Sequence, residues 1–400
     1  MKTTNNIPQG YKNSPLGIIP QEWEVKKLGD VAESFSGGTP KAGNNEYYDG
    51  NIPFIRSGEI HQKNTALFLS ELGLAESSAK IVEKGDLLIA LYGANSGDSA
   101  ISQINGAINQ AILCIRPYNL LTFFLCSFLE LKKNMYVAKY LQGGQGNLSG
   151  DIVNNYIIPI PPLPEQQKIA EILNMWDKAI EKQTQLIEKL ELRKKGLMQQ
   201  LLTGKKRLPG FSGEWKKVKA DLLFGSSSIR SNKLEPLLSV TQDKGVVPRD
   251  MLETRVTMPN GDLSSFKLVN VGDFVISLRS FEGGLEYSKY RGIVSPAYTV
   301  LNKKIDISDV FYKVYFKSND FIQRLAVAVI GIRDGKQISY SDFCYIKIPY
   351  PSLQEQNAIA NIFVSCDYEI LLAKQKLSSF QQQKKGLMQI LLTGKKRVNI

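Results

Sequence analysis

At 400 residues with 43% hydrophobic and 22% charged side chains, the sequence has the composition of a globular protein of two or three domains. No apolar run approaches the roughly 20 residues of a membrane span, and the opening MKTTNNIPQG has no hydrophobic signal core, so a cytoplasmic location and no membrane partner are expected. Four scattered cysteines (Cys114, Cys126, Cys344, Cys366) and the single His61 argue against a disulfide frame or a metal site, while a formal net charge of +12 favours a polyanionic partner.

In chain order, Ser14 to Val31 reads as a short strand and a helix start. Ile52 to Ile60 reads as a strand followed by a polar loop, and VEKGDLLIALYG (Val82 to Gly93) as a Gly-Asp turn feeding a buried strand. Ala107 to Pro117 is again strand-like. A helical stretch follows from Leu120 to Leu141, then the glycine-containing turn Gly143 to Val153. From Pro159 to Leu208 the pattern changes. Ile169, Leu173, Trp176, Ile180, Gln183, Ile187, Leu190, Lys194, Leu197 and Leu201 step by four and three, the a/d spacing of a coiled-coil seam.

The same text is then written again. Pro349 to Val398 matches Pro159 to Leu208 at 24 of 50 positions under a constant offset of 190, ending GLMQQLLTGKKR in one copy and GLMQILLTGKKR in the other. The second seam holds Ile359, Phe363, Cys366, Ile370, Ala373, Leu377, Phe380, Lys384, Leu387 and Leu391, so each helix carries a stripe suited to the other. Lys194 and Lys384 interrupt both stripes. Either the pairing ends there and the last turns bend, or the site is a docking patch. The segment between the helices also echoes the first: Glu214-Trp215 answers Glu22-Trp23, VNVGDFVISLRS (Val269 to Ser280) answers Val82 to Gly93, Ile293 to Lys303 answers Ala107 to Pro117, and Val310 to Val329 answers Leu120 to Leu141. The matched strands end in unlike text, Tyr92-Gly-Ala-Asn-Ser96 against Arg279-Ser-Phe-Glu-Gly283.

These observations predict an α+β protein: two similar globular α/β domains, 1–158 and 208–348, and two long helices, 159–207 and 349–400, forming an antiparallel coiled coil with a pseudo-twofold internal repeat. Prolines mark each helix start, and Gly204 and Gly394 are placed for left-handed caps. Unlike loops on matched strands are what readers of different base sequences need, although drift of a surface loop gives the same pattern. The glycine-rich turns at Gly143 to Val153 and Gly331 to Phe343 can bring backbone N–H groups to phosphates or simply reverse the chain. Lys205, Lys206, Arg207 and their copies read as solubilising charge at the helix ends.

No catalytic relay, phosphate-binding loop, amino-methyltransferase signature or metal-dependent nuclease signature can be assembled, so no cofactor, no metal and no catalytic residue is expected. The doubled PIPPLPEQQKIAEIL (Pro159 to Leu173) and IPYPSLQEQNAIANIF (Ile348 to Phe363), each opening a helix that ends in LLTGKKR, resemble the specificity subunit of type I restriction-modification enzymes over nearly the whole chain. The resemblance implies one target-recognition domain per half of a split, asymmetric DNA site, with the helices fixing the gap. It also implies two methyltransferase subunits as partners, with restriction subunits attached through them. Gln354 in place of Pro164, and Cys366 and Ala373 in place of Trp176 and Gln183, make the two helices unequal. A coiled-coil scaffold with basic adaptor domains for RNA or protein is the alternative.

For base and phosphate contacts the loops after matched strands supply the candidates. They are Arg56, His61, Lys63, Tyr92, Asn95, Asn109 and Gln110 in the first domain, and Gln242, Lys244, Arg249, Arg279, Phe281, Tyr298, Arg333 and Lys336 in the second. Arg suits guanine O6/N7, Asn and Gln suit adenine N6/N7, and Lys suits phosphate.

Overall fold

A computed structural model describes residues 7–140, 147–230, 234–252, 263–329 and 338–399. The chain divides into two compact units, 1–183 with 376–400 and 184–375. Each unit holds one globular head, part of the helix Leu163–Leu201 and part of the helix Leu353–Leu391.

The first head is built on an antiparallel sheet in the order Ala32–Ser36, Ile112–Pro117, Leu87–Ala90, Ser99–Ile101. Alternation explains why its central strands are apolar over Leu87–Ala90 and residues 112–115. Leu87, Ile89, Leu113 and Ile115 face a core shared with Phe124, Leu125, Phe128 and Leu129 of the helix Thr122–Tyr140, while Leu88, Ala90, Ile112 and Cys114 face a second cluster with Ile55, Ile60 and Val82. A second sheet runs Leu67–Leu69, Ile52–Ile55, Gly106–Ile108, Lys80–Val82, and in it Gly106–Ile108 lies parallel to Ile52–Ile55.

The second head repeats the main sheet in the same order: Phe224–Ser227, Thr299–Lys303, Phe274–Ile276, Glu286–Tyr287, all antiparallel. Phe274 and Ile276 face one core and Val275 the other, as at Leu87 to Ile89. The pairing of Lys267–Val269 with Gly292–Val294 corresponds to that of Lys80–Val82 with Gly106–Ile108.

Three local expectations are corrected. The strand expected over Ala107 to Pro117 is two strands, broken at 109–111, and Ile293 to Lys303 is broken at 295–298, because one strand joins each sheet and the chain turns between them. The helical stretch Val310 to Val329 is Asp309–Tyr315 followed by Asn319–Val329. Between Ser14 and Val31 there is a hairpin arm, the strand Glu24–Lys27 and a single 3-10 turn at Leu28–Asp30.

Each long helix has 39 residues, about 58 Å at ~1.5 Å per residue. A short strand precedes each one. Ile157–Ile160 pairs antiparallel with Glu24–Lys27, and Lys347–Tyr350 with Lys216–Lys219, so the segments arriving at and leaving each head lie side by side. Gly204 and Gly394 take φ of 72° and 69° just past the helix ends, and the amides of Lys206 and Lys396 return to the carbonyls of Gln200 and Ile390.

The meaning of the repeated Glu-Gln is structural. In the first unit the Trp23 indole N–H donates to Glu165 Oε2 at 2.8 Å, and Arg397 Nε donates to Glu165 Oε1 at 2.7 Å. In the second unit Trp215 donates to Glu355 at 3.0 Å and Arg207 forks onto both its oxygens at 2.6 and 2.7 Å. The neighbouring glutamines are spent on backbone: Gln166 accepts from the Leu121 N–H and donates to Pro161 O, and Gln356 accepts from the Ser308 N–H and donates to Pro351 O. All four Glu and Gln side chains are buried. Buried polar groups persist only when hydrogen-bonded, and here every bond except the two local ones to Pro161 and Pro351 ties a head to a helix or one helix segment to the other. The reading of Arg207 and Arg397 as solubilising charge is therefore corrected.

The interrupting lysines are likewise engaged. Lys384 pairs with Asp177 at 2.6 Å in the first unit, and Lys194 with Asp367 at 2.5 Å in the second. The two aspartates correspond under the same repeat, and pairing continues past both lysines to Arg397–Glu165 and Arg207–Glu355, so it does not end there. Partner numbers fall as first-helix numbers rise within each unit, from Glu165–Arg397 to Asp177–Lys384 in the first and from Glu191–Lys374 to Lys194–Asp367 in the second. Because Lys384 occupies an apolar seam position and partly exposed pairs contribute little, Lys384→Leu should stay within about 1 kcal/mol of the parent in a denaturant titration. A loss of several kcal/mol would assign the pair a larger role.

Candidate nucleic-acid interface

In the first head, topology gathers several predicted residues at one edge. Ile52–Ile55 and Gly106–Ile108 run parallel, so Arg56 and Asn109 leave their strands at the same end. Leu91 N–H bonds Ala111 O at 2.8 Å, drawing the loop after Leu91 beside the turn at 109–111. A Cβ built on Gly58 would lie 3.8 Å from Asn95 Nδ2, so the loop after Ile55 adjoins the 3-10 turn Gly93–Asn95. Thr39 donates to Gln110 Oε1, and a Cβ at Gly37 would stand 1.8 Å from Ile108 O, which brings in residues 37–39. Asn95 and Gln110 are exposed, as are His61 and Lys63 on the outer loop, while Tyr92 is half-buried against the core and Asn109 caps its own turn by accepting from Ala111 N–H.

Arg56 is already engaged. Its guanidinium forks onto Glu59 with two bonds of 3.0 Å, and the same carboxylate accepts from the Ala66 N–H. The Arg56 hydrogen bond holds the Glu59 carboxyl below its ordinary pKa. The arginine is thus fixed in place with its outer face half exposed, and the acid three residues on was the available signal.

In the second head the hairpin of Leu238–Thr241 and Gly245–Pro248 carries Gln242 and Lys244 at its tip. Gln242 Nε2 approaches Arg279 O at 3.5 Å, joining that tip to the one-turn helix Ser280–Gly283, which contains Phe281. Lys244, Arg249 and Tyr298 line one surface cavity of about 570 Å³ with Ser239, Thr241 and Ser295. Arg279 is exposed. Arg333 and Lys336 lie outside the described residues, as do Gly143 to Gly146 and Gly331 to Lys336 of the two glycine-containing turns.

A neighbouring cleft of about 500 Å³ in the second unit is lined by Lys194, Lys244, Lys289, Lys313 and Lys317, with Asp243, Glu286 and Asp367 among them. Burial, and then the charges of Lys289 and Lys194, push Lys313 below its ordinary pKa. Burial lifts the Glu286 carboxyl to about 7 in spite of the Lys317 ammonium beside it. Lys317 is held by Glu286 and two backbone carbonyls, but the other cations crowded into this concave surface attract a polyanion, and the exposed arginine, amides and lysines at the loop edges have donors suited to base edges and phosphates. The chemistry available is binding. Among the described residues no group of three or more His, Cys, Asp or Glu side chains is placed to hold a metal ion, and no helix is long and apolar enough to cross a membrane.

Residues 20–192 match the family described as Type I restriction modification DNA specificity domain. The type I restriction enzyme MjaVIII specificity subunit of Methanocaldococcus jannaschii is 27% identical over 95% of this chain and 94% of its own. The putative MjaX specificity subunit of the same organism is 26% identical over 98% and 97%. Among solved structures, the S subunit of a type I restriction-modification system from M. genitalium matches with a TM-score of 0.54 at 15% identity, covering 98% of both chains. A chain from a structure concerning complex assembly and conformational transition of the type I R-M system matches at 0.62 with 16% identity, over 94% and 99%. The chain thus carries a match to a type I restriction modification DNA specificity domain over residues 20–192 and is similar over most of its length to type I restriction enzyme specificity subunits at 26–27% identity. Members of that family recognise a target and are not themselves catalytic.

Proposed function

We infer that this chain reads a two-part, asymmetric duplex, one head per half-site, with heads 1–158 and 208–348 and helical segments 159–207 and 349–400. The helices pair as an antiparallel coiled coil with pseudo-twofold symmetry, leaving a fixed number of bases unread between the half-sites. Two methyltransferase subunits bind this chain, and restriction subunits join through them. The observation that carries the reading is the main sheet repeated in one strand order, with a 3-10 turn after Leu91 in one head and a one-turn helix after Leu278 in the other. Matched scaffolds with unlike loops suit two readers of unlike sequence.

The test is co-expression with a methyltransferase subunit followed by mapping of modified positions in genomic DNA. A two-part sequence with a constant gap is expected. Arg279→Ala should relax one half-site only, losing about 1–3 kcal/mol of discrimination at one base pair. Equal weakening on unrelated duplex would make Arg279 a phosphate contact. Absence of any preferred duplex would favour the scaffold for RNA or protein.

A further inference from the structure

Behind the reading loop of each head stands a lysine that the loop closes over. In the second head Lys317 follows the helix Asp309–Tyr315, and its ammonium donates to Gly283 O at 2.9 Å, to Gln242 O at 3.3 Å and to the Glu286 carboxylate. Those carbonyls belong to the two segments that carry the candidate contacts, the hairpin tip at 242–244 and the turn at 279–283. Glu286 is 2% exposed, so its carboxylate faces the protein and not solvent. The loop is also pressed down: Gly284 has φ of 77°, and a Cβ there would stand 1.9 Å from Phe316 O, the residue before the lysine.

The first head has the same device from different residues. Lys133 of the helix Thr122–Tyr140 pairs with Asp98, at the end of the loop containing Tyr92 and Asn95. Asp98 N–H bonds Asn95 O at 2.8 Å, and its carbonyl accepts from Ala90 N–H at 2.9 Å, so the pair fixes both the turn and the strand edge. Gly97, with φ of 82°, lies under Val137 and Lys133, a Cβ there meeting their side chains at 2.7 and 3.4 Å. A positive-φ glycine, an acid within two residues of it and a lysine from the segment behind, on a helix in the first head and just past one in the second, recur in both heads, although the loops they hold differ.

We propose that Lys133 and Lys317 are positioning residues for sequence recognition, each fixing the reading loop of its own head from behind and so setting which bases that head accepts. This rests on the two-part reading above. A loop whose exposed donors are misplaced by an ångström loses the bidentate geometry that separates one base from another, while the general attraction to phosphate survives.

The experiment is selection of bound duplexes from a random library by the full chain and by Lys317→Met and Lys133→Met, with circular dichroism melting of each and affinity for unrelated duplex across a salt series. Lys317→Met should cut discrimination in the second head's half-site by about tenfold and leave the other half-site intact. Lys133→Met should do the reverse, and neither should change the salt slope. Lys317→Arg, which keeps the charge, should recover part of the discrimination. Unchanged selection by both variants overturns the proposal. So does a reduced salt slope, which makes the lysines phosphate contacts, or loss of the folded signal in both variants, which makes them supports of the fold. A parent chain that selects no two-part site refutes the underlying reading instead, and that outcome is separate from all of these.

Discussion

Glu355→Ala is expected to lower the stability of the second unit by about 3 kcal/mol, because removing one partner of a buried, hydrogen-bonded ion pair strands the other. Glu355 is 1% exposed and satisfies the Trp215 indole and the Arg207 guanidinium at once. The alanine leaves both donors facing the space the carboxylate filled. Glu355→Gln keeps an acceptor of similar size and should cost less, and adding Arg207→Met to Glu355→Ala should recover part of the loss. Denaturant titrations of the four proteins measure this. If the alanine variant unfolds with the parent midpoint, the joint between head and helix ends is not where the stability resides.

Gly284→Val is expected to act more locally and at least as strongly. Gly284 combines φ of 77° with ψ of −167°, a region essentially confined to glycine that costs a side chain about 1–3 kcal/mol, and here the added Cβ would also stand 1.9 Å from a backbone carbonyl that cannot rotate away. The segment 279–284 must then move off the chain at Phe316, and we expect a loss above about 3 kcal/mol together with lost discrimination in one half-site. Gly210→Val separates the two costs, since Gly210 has φ of 86° with nothing within 4 Å of an added Cβ. It should lose only the conformational part. Equal effects of the two substitutions would show that the packing of Gly284 against Phe316 is unimportant.

Much of the architecture was legible because it was written twice. The seam stepping by four and three gave two helices, both of which form, and the Gly-Asp turns before Leu87 and Phe274 gave the buried central strands. The breaks at 109–111 and 295–298 were not legible, because apolar strands on either side of a turn read as one run when each lies in a different sheet. Pattern also failed at Lys194, Lys384, Arg207 and Arg397. A charge in an apolar stripe or at a helix end looks like a fault or a solvent group until its partner is known, and each partner lies more than a hundred residues away in sequence.

The candidate site was legible by loop and not by residue. The loops after matched strands bring Arg56, Asn95, Asn109 and Gln110 near one edge, and Gln242 beside Arg279. Position in the sequence gave no hint that Lys133 and Lys317 stand behind the loops. Those depend on which helix packs behind which strand, and hydrophobic period alone does not carry that information.

The proposed function makes each head an independent reader of its own half-site. The most direct measurement is duplex selection by a chain in which residues 208–348 are replaced with a copy of 1–158, alongside the parent. The parent should select two unlike half-sites, and the doubled chain an inverted repeat of the first head's half-site with the same gap. A direct repeat, a single continuous site, or an unchanged asymmetric sequence from a folded doubled chain would contradict it.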